Sequence, residues 1–410
     1  MATRVLLLTQ WFDPEPTLKG MVFARELLRQ GFEVEVLTGF PNYPTGQVYP
    51  GYRIKLLQRE LVDGVHVTRV PLYASHDHSA IRRVLNYTSF AVSALICGAF
   101  IARRADVIYA YHPPLTVGVT AGLLRLVSRT PVVYDIQDMW PDTLRATGMV
   151  RSQKVLDIVG AVCRWVYRRA DHIVVLSPGF KRLLTERGVP EEKVSVIYNW
   201  ADEAALNFSL GSLSPNFPPA KTFKILFAGN IGKAQALDTV LDAAALLNAD
   251  SNICFILLGD GVELDRLKKR AAAEQLRRVV FLSAVPMAQV GTLLNAADAL
   301  LVHLRNDPLF EVKIPSKTQA YMMVGKPQLM AVNGDAAELV RQSGGGVVAE
   351  SENPEALVAA AEMLAALTPD ELRCMGEKAR VHYRQRLALQ TGVAAFGKIF
   401  RRLASSGARS

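Results

Sequence analysis

The sequence predicts two α/β domains, each a doubly wound parallel sheet, that face each other across a central cleft. Two observations predict this fold. Short apolar runs of strand length alternate with amphipathic helical stretches through both halves of the 410-residue chain, and one stretch without periodicity interrupts the series. That stretch, residues 207–222, is rich in Ser and Pro, which is typical of a linker. The predicted domains are therefore residues 1–206 and 223–387.

The first domain opens with a predicted strand, Val5–Thr9, followed by a predicted helix, Leu18–Gln30, that ends at Gly31. Two β-rich runs, Arg53–Glu60 and Val65–Val70, flank Asp63-Gly64, a pair typical of a hairpin turn. Ser177-Pro178 predicts a helix start, with Ser as N-cap and Pro in the first turn. The further predicted strands of this domain are Glu33–Leu37, Val107–Ala110, Val132–Asp135, Ile173–Leu176 and Val194–Ile197.

The second domain repeats the alternation of strands and helices, and it is followed by a helical tail. Its predicted strands are Phe223–Ala228, Ile253–Gly259, Val279–Leu282, Ala299–Val302 and Gln328–Val332. Because ligands of such sheets bind beyond the carboxyl ends of the strands, we expect functional residues in the loops that follow strands.

The net charge and composition of the chain limit the classes of partner that it can bind. The formal net charge of +9 suits nucleic acid, an anionic membrane or a phosphorylated substrate, or simply a basic soluble protein. No nucleic-acid recognition motif or concentrated basic helix is present, so nucleic acid ranks last. The four cysteines lie far apart without metal-ligand spacing, which favours a reducing cytoplasmic setting. The sequence contains no DxD motif for a metal-bridged diphosphate, and neither a metal site nor a cofactor is predicted.

Three loops of the second domain contain candidate binding residues. Gly229, Asn230, Gly232 and Lys233 lie between a strand and a helix, where glycines and a positive helix end suit a diphosphate. An ordinary turn with a solvent-facing lysine is the alternative. Gly259, Asp260 and Gly261 follow the next strand, where a tight turn near a cleft is the favoured interpretation. Val285-Pro286 follows the strand after that and suits a nucleotide base or a plain turn equally well.

Glu311, Ser316 and Lys317 precede a helix that runs to Val324. Ser316 is positioned to cap it. Lys317 then lies near the positive end of that helix, where a cation is unfavourable unless an anion is bound. This placement indicates an anion site.

In the first domain His112 follows a strand, and Asp138 belongs to a loop with carboxylates and an aromatic ring that suits a sugar hydroxyl. Asp138 is the candidate to orient or deprotonate an acceptor. Helix capping and solvation are the alternative interpretation. The loop that contains Lys19 and Gly20 is longer than usual for a strand-to-helix connection.

A nineteen-residue apolar run, Val84–Ala102, lies between two arginine pairs. Its length permits a membrane span, but polar residues dilute it and the run falls inside the alternation of the first sheet. A helix pressed on an anionic membrane surface, a buried helix and a spanning helix all remain open.

The order of these segments resembles the family-4 retaining glycosyltransferases of GT-B fold, which have two Rossmann-like domains. The pieces that carry the resemblance are Trp11–Glu15, Ala170–Ser177, Val196–Asp202, Gly229–Lys233, Leu258–Gly261, Phe281–Pro286, Ala297–Ala299 and Pro315–Pro327. Pro315–Lys317 and Asn199–Asp202 resemble most the subgroup that builds O-antigen, capsule and colanic-acid units, which includes the fucosamine-type transferases.

The resemblance implies a first domain that binds the acceptor and a second domain that binds a nucleotide-sugar donor. A C-terminal helix at about residues 388–406 is expected to pack back on the first domain. Lys19 and Gly20 are implied to approach the donor phosphates and the acceptor, and His112 the transferred sugar. Lys233 is the third candidate catalytic residue, for the leaving diphosphate.

Two positions depart from the family pattern. Asn230 stands where the family has an arginine in the first phosphate loop, and Ala320 stands where it has the second of two glutamates. Lys317 is the candidate to replace the missing cation, and Glu311 is the substitute for the first glutamate.

The implied reaction is transfer of a sugar, with retention, from a UDP-sugar or a similar donor to a lipid-linked glycan acceptor. The enzyme would lie in the cytoplasm, in peripheral contact with the anionic inner face of the plasma membrane. Two alternatives remain: a nucleotide-sugar 2-epimerase of the same fold, and a non-catalytic nucleotide-sugar-binding scaffold, which the departures at Asn230 and Ala320 favour.

Overall fold

A computed structural model describes residues 2–75, 79–146, 148–206 and 213–407. The chain forms two compact units. The first contains the residues up to Tyr198 together with those from Leu389 onward, and the second contains Asn199–Ala388.

The first unit is an eight-stranded sheet flanked by helices. Its elements are β1 Arg4–Leu8, α1 Met21–Arg29, β2 Glu33–Gly39, β3 Gln58–Val62, β4 Val65–Val70, α2 Ala80–Ala102, β5 Val107–Tyr111, α3 Leu115–Ser128, β6 Val132–Ile136, α4 Asp142–Ala146, α5 Gln153–Arg169, β7 His172–Val175, α6 Pro178–Glu186 and β8 Val194–Val196. The strand order is β3-β4-β2-β1-β5-β6-β7-β8, and only the β3–β4 pair is antiparallel among these strands.

The hairpin predicted at Asp63-Gly64 is present. Both residues have positive φ, at 51° and 83°, which is the geometry of a two-residue hairpin turn. The antiparallel pairs run from Gln58↔Arg69 to Val62↔Val65. The predicted first arm was too long, because residues 53–57 precede β3 as bends and coil.

The helix α1 begins at Met21, three positions after the predicted start at Leu18, because Asp13 Oδ2 accepts the Met21 backbone N–H at 2.6 Å. The helix start at Ser177-Pro178 is as predicted, with the Ser177 hydroxyl accepting the Phe180 N–H at 3.1 Å.

The second unit is a six-stranded sheet that is parallel throughout the described strands. Its elements are α7 Glu203–Leu206, β9 Phe223–Ala228, α8 Asp238–Leu246, β10 Ile253–Leu258, α9 Leu264–Ala273, β11 Val279–Leu282, α10 Met287–Ala296, β12 Ala299–His303, α11 Pro308–Glu311, α12 Ser316–Val324, β13 Gln328–Ala331, α13 Asp335–Ser343, β14 Gly346–Ala349, α14 Pro354–Ala365 and α15 Pro369–Arg386. The strand order is β11-β10-β9-β12-β13-β14. The sequence pattern did not predict β14.

The boundary between the units lies at Tyr198–Asn199 rather than after residue 206. The reason is that α7 packs on α10 and α12 of the second unit. Of the predicted linker, residues 207–212 lie outside the described residues, and residues 213–222 form turns and coil.

The C-terminal helix α16, Leu389–Gly407, packs on α1 and β5 of the first unit. Its Phe396 ring meets Phe23 at a centroid distance of 5.4 Å, and its Phe400 ring meets Phe32 at 6.1 Å. Both phenylalanines of α16 are fully buried, so the end of the chain completes the core of the unit in which it began.

Candidate functional site

Four loops of the second unit share one edge of its sheet. Strands β11, β10, β9 and β12 are consecutive neighbours and parallel, so their carboxyl ends all lie on the same side. The predicted segments Gly229–Lys233, Gly259–Gly261, Val285-Pro286 and Glu311–Lys317 follow these four strands. The topology therefore gathers the predicted donor-binding residues at one edge.

The loops after β9 and β10 are packed against each other, backbone to backbone. A Cβ atom on Gly259 would lie 1.9 Å from the Gly229 carbonyl oxygen, and one on Gly261 would lie 2.3 Å from that of Ile231. Ile231 also donates its N–H to the Asp260 carbonyl at 2.8 Å. Gly259 and Gly261 therefore hold the Gly229–Lys233 loop in place by allowing this close approach.

Lys317, in the first turn of α12, crosses over this loop. Its ammonium lies 3.4 Å from the centroid of the Phe227 ring, and a Cβ atom on Gly229 would lie 2.7 Å from its Cε. Within the described residues, no carboxylate pairs with it. The cation is thus held by an aromatic face and a glycine, which leaves its hydrogen-bonding capacity for an anion.

Burial lowers the pKa of Lys317 to about 7, from 10.5 for an ordinary lysine. A bound diphosphate would favour the charged form and raise this pKa again. The site therefore has an ammonium group whose charge depends on whether an anion is present.

The other predicted donor residues differ in their exposure to solvent. Lys233 is exposed in the short 3-10 turn Lys233–Gln235, and Asn230 is exposed beside it. Gly232 is buried, whereas Asp260 is exposed and its carboxylate accepts the N–H of Gly261 at 2.7 Å. Two of these residues, Lys233 and Asn230, are thus open to a ligand from solvent.

Ser316 does not cap α12, contrary to the expectation. It is the first helical residue, Pro315 occupies the N-cap position, and no side chain accepts the first N–H groups in the described structure. The predicted anion role of this helix start remains compatible with that geometry, because these N–H groups have no side-chain acceptor. Glu311, the last residue of α11, and Ser316 are both exposed.

Pro286 is the N-cap residue of α10 and is exposed, with Val285 half-buried before it. The positions of Val285 and Pro286 are consistent with the loop after β11 being a plain turn or a ligand contact.

Ala320, the position of the absent glutamate, is half-buried in α12.

His303 was not among the predicted site residues, yet it holds the 3-10 turn Lys233–Gln235 that follows the Gly229–Lys233 loop. It ends β12, and its Nδ1 donates to the Gln235 carbonyl oxygen at 2.7 Å. Burial lowers its pKa to about 4, so the ring is neutral near pH 7. Its position at the carboxyl end of a strand is the signal by which sequence reasoning could have found it.

In the first unit, His112 follows β5 and is buried at the carboxyl edge. Its ring packs edge-on against Tyr134 and Trp140, at centroid distances of 6.0 and 5.5 Å. Asp138, in the loop after β6, is half-buried. The fold therefore brings the predicted His112 close to Trp140, within the loop that also contains Asp138.

Lys19 is placed differently from the expectation. Its side chain is fully buried, with Nζ 2.5 Å from Asp135 Oδ2, and the same carboxylate accepts the Tyr109 hydroxyl at 2.6 Å and, through Oδ1, the Gln137 amide at 2.6 Å. Its ammonium also lies 4.9 Å from the centroid of the Phe396 ring of α16. Lys19 is a cation of the domain core rather than an exposed phosphate ligand, because a buried Asp135 satisfies it.

Gly20 is likewise explained by packing. A Cβ atom there would lie 2.1 Å from Asp13 Oδ2, the atom that caps α1. The glycine thus makes room for the carboxylate that starts the helix, and its implied approach to the donor phosphates stays a prediction.

The predicted apolar run forms α2, which carries a solvent-facing apolar side. Six exposed residues repeat at helical spacing along one side of the helix: Ile81, Val84, Leu85, Val92, Ile96 and Phe100. We call them the α2 stripe. The opposite side is buried on α3 and the sheet through Asn86, Phe90, Ala94 and Ile101. By length and mean hydropathy, 1.7, the helix could cross a membrane, although 28% of that window is buried in the unit.

No group of three or more potential metal ligands occurs among the residues that the structure describes.

Two units built on parallel sheets, the second with a lysine and glycine loops at its carboxyl edge, define the GT-B class of glycosyltransferase. Comparison with known proteins agrees. The family description "Glycosyl transferase 4-like domain" matches residues 21–200, and "Glycosyl transferases group 1" matches residues 214–382.

The colanic acid biosynthesis glycosyl transferase WcaI of Escherichia coli K12 is 30% identical over 81% of this chain and 84% of its own length. The glycosyltransferase WbjE of Pseudomonas aeruginosa is 28% identical over 58% of this chain and 60% of its own. The crystal structure of Anabaena HepE in complex with UDP and glucose superposes with a TM-score of 0.64 at 18% identity, over 97% of this chain and 99% of HepE. The chain belongs to the family-4 glycosyltransferases and is a transferase of polysaccharide biosynthesis.

Proposed function

We propose that the second unit binds a nucleotide-sugar donor, a UDP-sugar, and that the enzyme transfers its sugar to a lipid-linked glycan acceptor with retention at the anomeric carbon. The observation that carries the proposal is Lys317, a half-buried ammonium held over Gly229 and Phe227 without a carboxylate partner in the described chain. The HepE complexes with UDP support the choice of base.

In the proposed reaction the bond between the anomeric carbon and the β-phosphate oxygen breaks, and its electron pair leaves with the diphosphate. Lys317, Lys233 and the N–H groups at the start of α12 stabilise that developing charge. The acceptor hydroxyl oxygen forms the new bond to the anomeric carbon, and its proton passes to Asp138. Retention follows when the acceptor attacks from the face that the diphosphate leaves.

The acceptor is proposed to reside in the cytoplasmic membrane face, where α2 holds the enzyme. Four arginines lie at the two ends of the α2 stripe, Arg82 and Arg83 between Ile81 and Val84, and Arg103 and Arg104 after Phe100. An apolar side flanked by cations is the arrangement that binds an anionic membrane surface without spanning it. The buried opposite side of α2 supports peripheral binding rather than a span.

The test is release of free UDP, GDP or dTDP from a panel of nucleotide sugars, with and without membrane lipid extract. Wild type is compared with Lys317→Met, Lys233→Ala and the matched surface control Lys268→Ala. Lipid-dependent release of UDP that is lost in Lys317→Met and retained in Lys268→Ala is the expected result. Interconversion of two nucleotide sugars without release would instead identify a 2-epimerase, and tight donor binding without turnover a scaffold.

A further inference from the structure

A basic cavity of about 560 Å³ lies at the amino edge of the first unit's sheet. It is found where β7 and β8 begin, between the end of α5 and the last turns of α16. His112 and Asp138 follow β5 and β6 and so lie at the opposite, carboxyl edge of the same parallel strands. The four-residue strand β7 alone spans about 13 Å between the two edges. The cavity is therefore separate from the predicted acceptor residues.

The cavity has a surplus of positive charge. Five cationic side chains of the described chain line it: Arg125, Arg168, Arg169, Lys193 and Arg402. The two carboxylates that line it, Asp171 and Glu192, leave a surplus of three positive charges. The cations come from α3, α5, the segment before β8 and α16, so the fold gathers them from distant parts of the chain. Like charges gathered in one place repel each other, and a bound anion relieves that repulsion.

Two of the five cations have structural partners. Arg125 donates to both carboxylate oxygens of Asp171 at 2.6 Å, which cancels one charge of each sign. Lys193 Nζ donates to the carbonyl oxygens of Tyr167 and Arg168, at 2.7 and 3.3 Å, and so caps the carboxyl end of α5. Burial lowers the pKa of Lys193, and a nearby anion would oppose that shift.

Arg402 is oriented by a neutral partner. Its Nη2 donates to His172 Nδ1 at 3.1 Å, and His172 Nε2 lies 2.8 Å from the Ser195 hydroxyl oxygen. A guanidinium can only donate, so Nδ1 is the acceptor and the imidazole proton lies on Nε2, which donates to Ser195. Burial lowers the pKa of His172 to about 4, and the charges of Arg402 and Lys193 add to that shift. The buried histidine therefore fixes the guanidinium without neutralising it.

Three arginines of the cavity keep donors for a ligand. Arg168, Arg169 and Arg402 have no carboxylate partner within the part of the chain that the structure describes. Arg168 and Arg402 are exposed, and Arg169 is half-buried, with its guanidinium 5.7 Å from the centroid of the Trp165 ring. Phosphate oxygens match the planar fork of donors that a guanidinium presents. The cavity is therefore suited to a phosphate group.

We propose that this cavity binds a phosphate group and that the bound anion fixes α16 on the first unit. Arg402 belongs to α16, whereas Arg168 and Arg169 end α5, so an anion held by all three joins the two helices. The site lies away from the sugar-transfer residues, so its ligand acts by holding the C-terminal helix in place. A soluble phosphorylated compound and a phospholipid headgroup share this chemistry, and the experiment separates them.

The test is isothermal titration of the full-length Lys317→Met variant with inorganic pyrophosphate, so that the candidate donor site is disabled. We expect saturable binding. Adding Arg402→Gln should weaken it about tenfold to a hundredfold, as loss of a charge-assisted hydrogen bond does, and Arg168→Gln on α5 should weaken it as well. The matched control is Lys398→Gln, which removes an exposed cation one turn earlier on α16, outside the cavity, and should leave the affinity unchanged.

Hydrogen exchange measures the effect on α16. Pyrophosphate is expected to slow exchange of the amides in the last turns of α16 in the Lys317→Met protein, and to lose that effect when Arg402→Gln is added. Unchanged exchange at saturating pyrophosphate would overturn the proposed effect on the helix.

Sedimentation with phosphatidic acid vesicles separates the two sources of phosphate. A loss of sedimentation with Arg402→Gln but not with Lys398→Gln would identify a lipid headgroup as the ligand, and equal sedimentation of the two would identify a soluble compound. Absence of saturable pyrophosphate binding, or equal affinity in the Arg402→Gln, Arg168→Gln and Lys398→Gln proteins, would overturn the site. Every titrated protein carries Lys317→Met, so these outcomes do not depend on the proposed donor site.

Discussion

Lys317 and Gly229 are fitted to each other: a single methyl group on Gly229 would lie 2.7 Å from Lys317 Cε. Gly229 also has φ of +133°, a conformation that side chains rarely adopt. The glycine of the loop after β9 and the lysine of α12 therefore pack as one unit, although 88 positions separate them in the sequence (317 − 229).

Because Gly229 contacts Lys317, the substitution Gly229→Ala should displace the Lys317 side chain and weaken UDP binding about as much as Lys317→Met does. Isothermal titration with UDP measures both, and Gly188→Ala, at a positive-φ glycine with open space around it in the first unit, controls for backbone strain alone. Full UDP affinity in Gly229→Ala would show that Lys317 does not depend on this glycine.

The free protein should be more stable without the Lys317 charge. A buried cation whose pKa is lowered from 10.5 to about 7 destabilises the folded protein at pH below about 10.5, and in full below about 7, because the unfolded chain binds the proton more tightly. Lys317→Met is therefore expected to raise Tm by a few degrees while abolishing UDP binding, and Lys268→Met on the exposed side of α9 should change neither. A lower Tm in Lys317→Met would contradict the electrostatic origin of the shift.

The affinity for the donor should depend on pH with a defined sign. Free Lys317 has a pKa of about 7, and the bound diphosphate raises it, so binding takes up a proton. Affinity for UDP-glucose is expected to fall, by up to about tenfold per pH unit, between about pH 7 and 8.5. Lys317→Arg, which stays charged, should show a flat profile. The same slope in that variant would assign the titration to another group.

Lys19 is expected to stabilise the fold of the first unit rather than to bind the donor. Removing one partner of a buried, hydrogen-bonded ion pair costs about 3–5 kcal/mol, because the other charge is left unpaired. Lys19→Met is thus expected to lower the free energy of unfolding by an amount of that order, measured by urea denaturation, with UDP affinity unchanged. A stable Lys19→Met protein that had lost donor turnover would restore Lys19 as a phosphate ligand.

The α2 stripe should mediate vesicle binding. Ile96 is 72% and Phe100 64% exposed, so replacing either with Glu leaves the fold unstrained and adds charge to the apolar side. Sedimentation with phosphatidylglycerol vesicles is expected to fall strongly for Ile96→Glu and Phe100→Glu. Met363→Glu, at a similarly exposed apolar residue of α14, should sediment as wild type. An equal loss of vesicle binding in all three variants would indicate that the added negative charge alone, and not the α2 stripe, is responsible.

Hydrophobic periodicity and the residue types of turns were sufficient to predict much of the fold. The Asp63-Gly64 hairpin and the Ser177 helix start are local, because the residues that determine them lie within four positions of one another. The position of the Gly229–Lys233 loop at the sheet edge was predictable for a similar reason, since strands of a parallel sheet end at one edge and glycines mark the loops there.

Contacts between distant residues were not predictable in this way. A lysine in a loop is ordinarily exposed, and nothing near Lys19 indicates that Asp135, on β6, buries and pairs with it. The Trp11–Tyr43 stack and the position of Lys317 over Phe227 likewise depend on how separate loops pack. Ser316 failed as a cap because Pro315 already occupies the N-cap position.

Transfer of a sugar from a UDP-sugar to a membrane lipid is tested most directly by mass spectrometry of the lipid fraction after incubation with an isotopically labelled UDP-sugar. A lipid is expected to gain the mass of one labelled sugar, matched by an equal amount of free UDP, and Lys317→Met is expected to yield neither. Labelled sugar found only in a second nucleotide sugar or in water-soluble products, with the lipids unchanged, would contradict it.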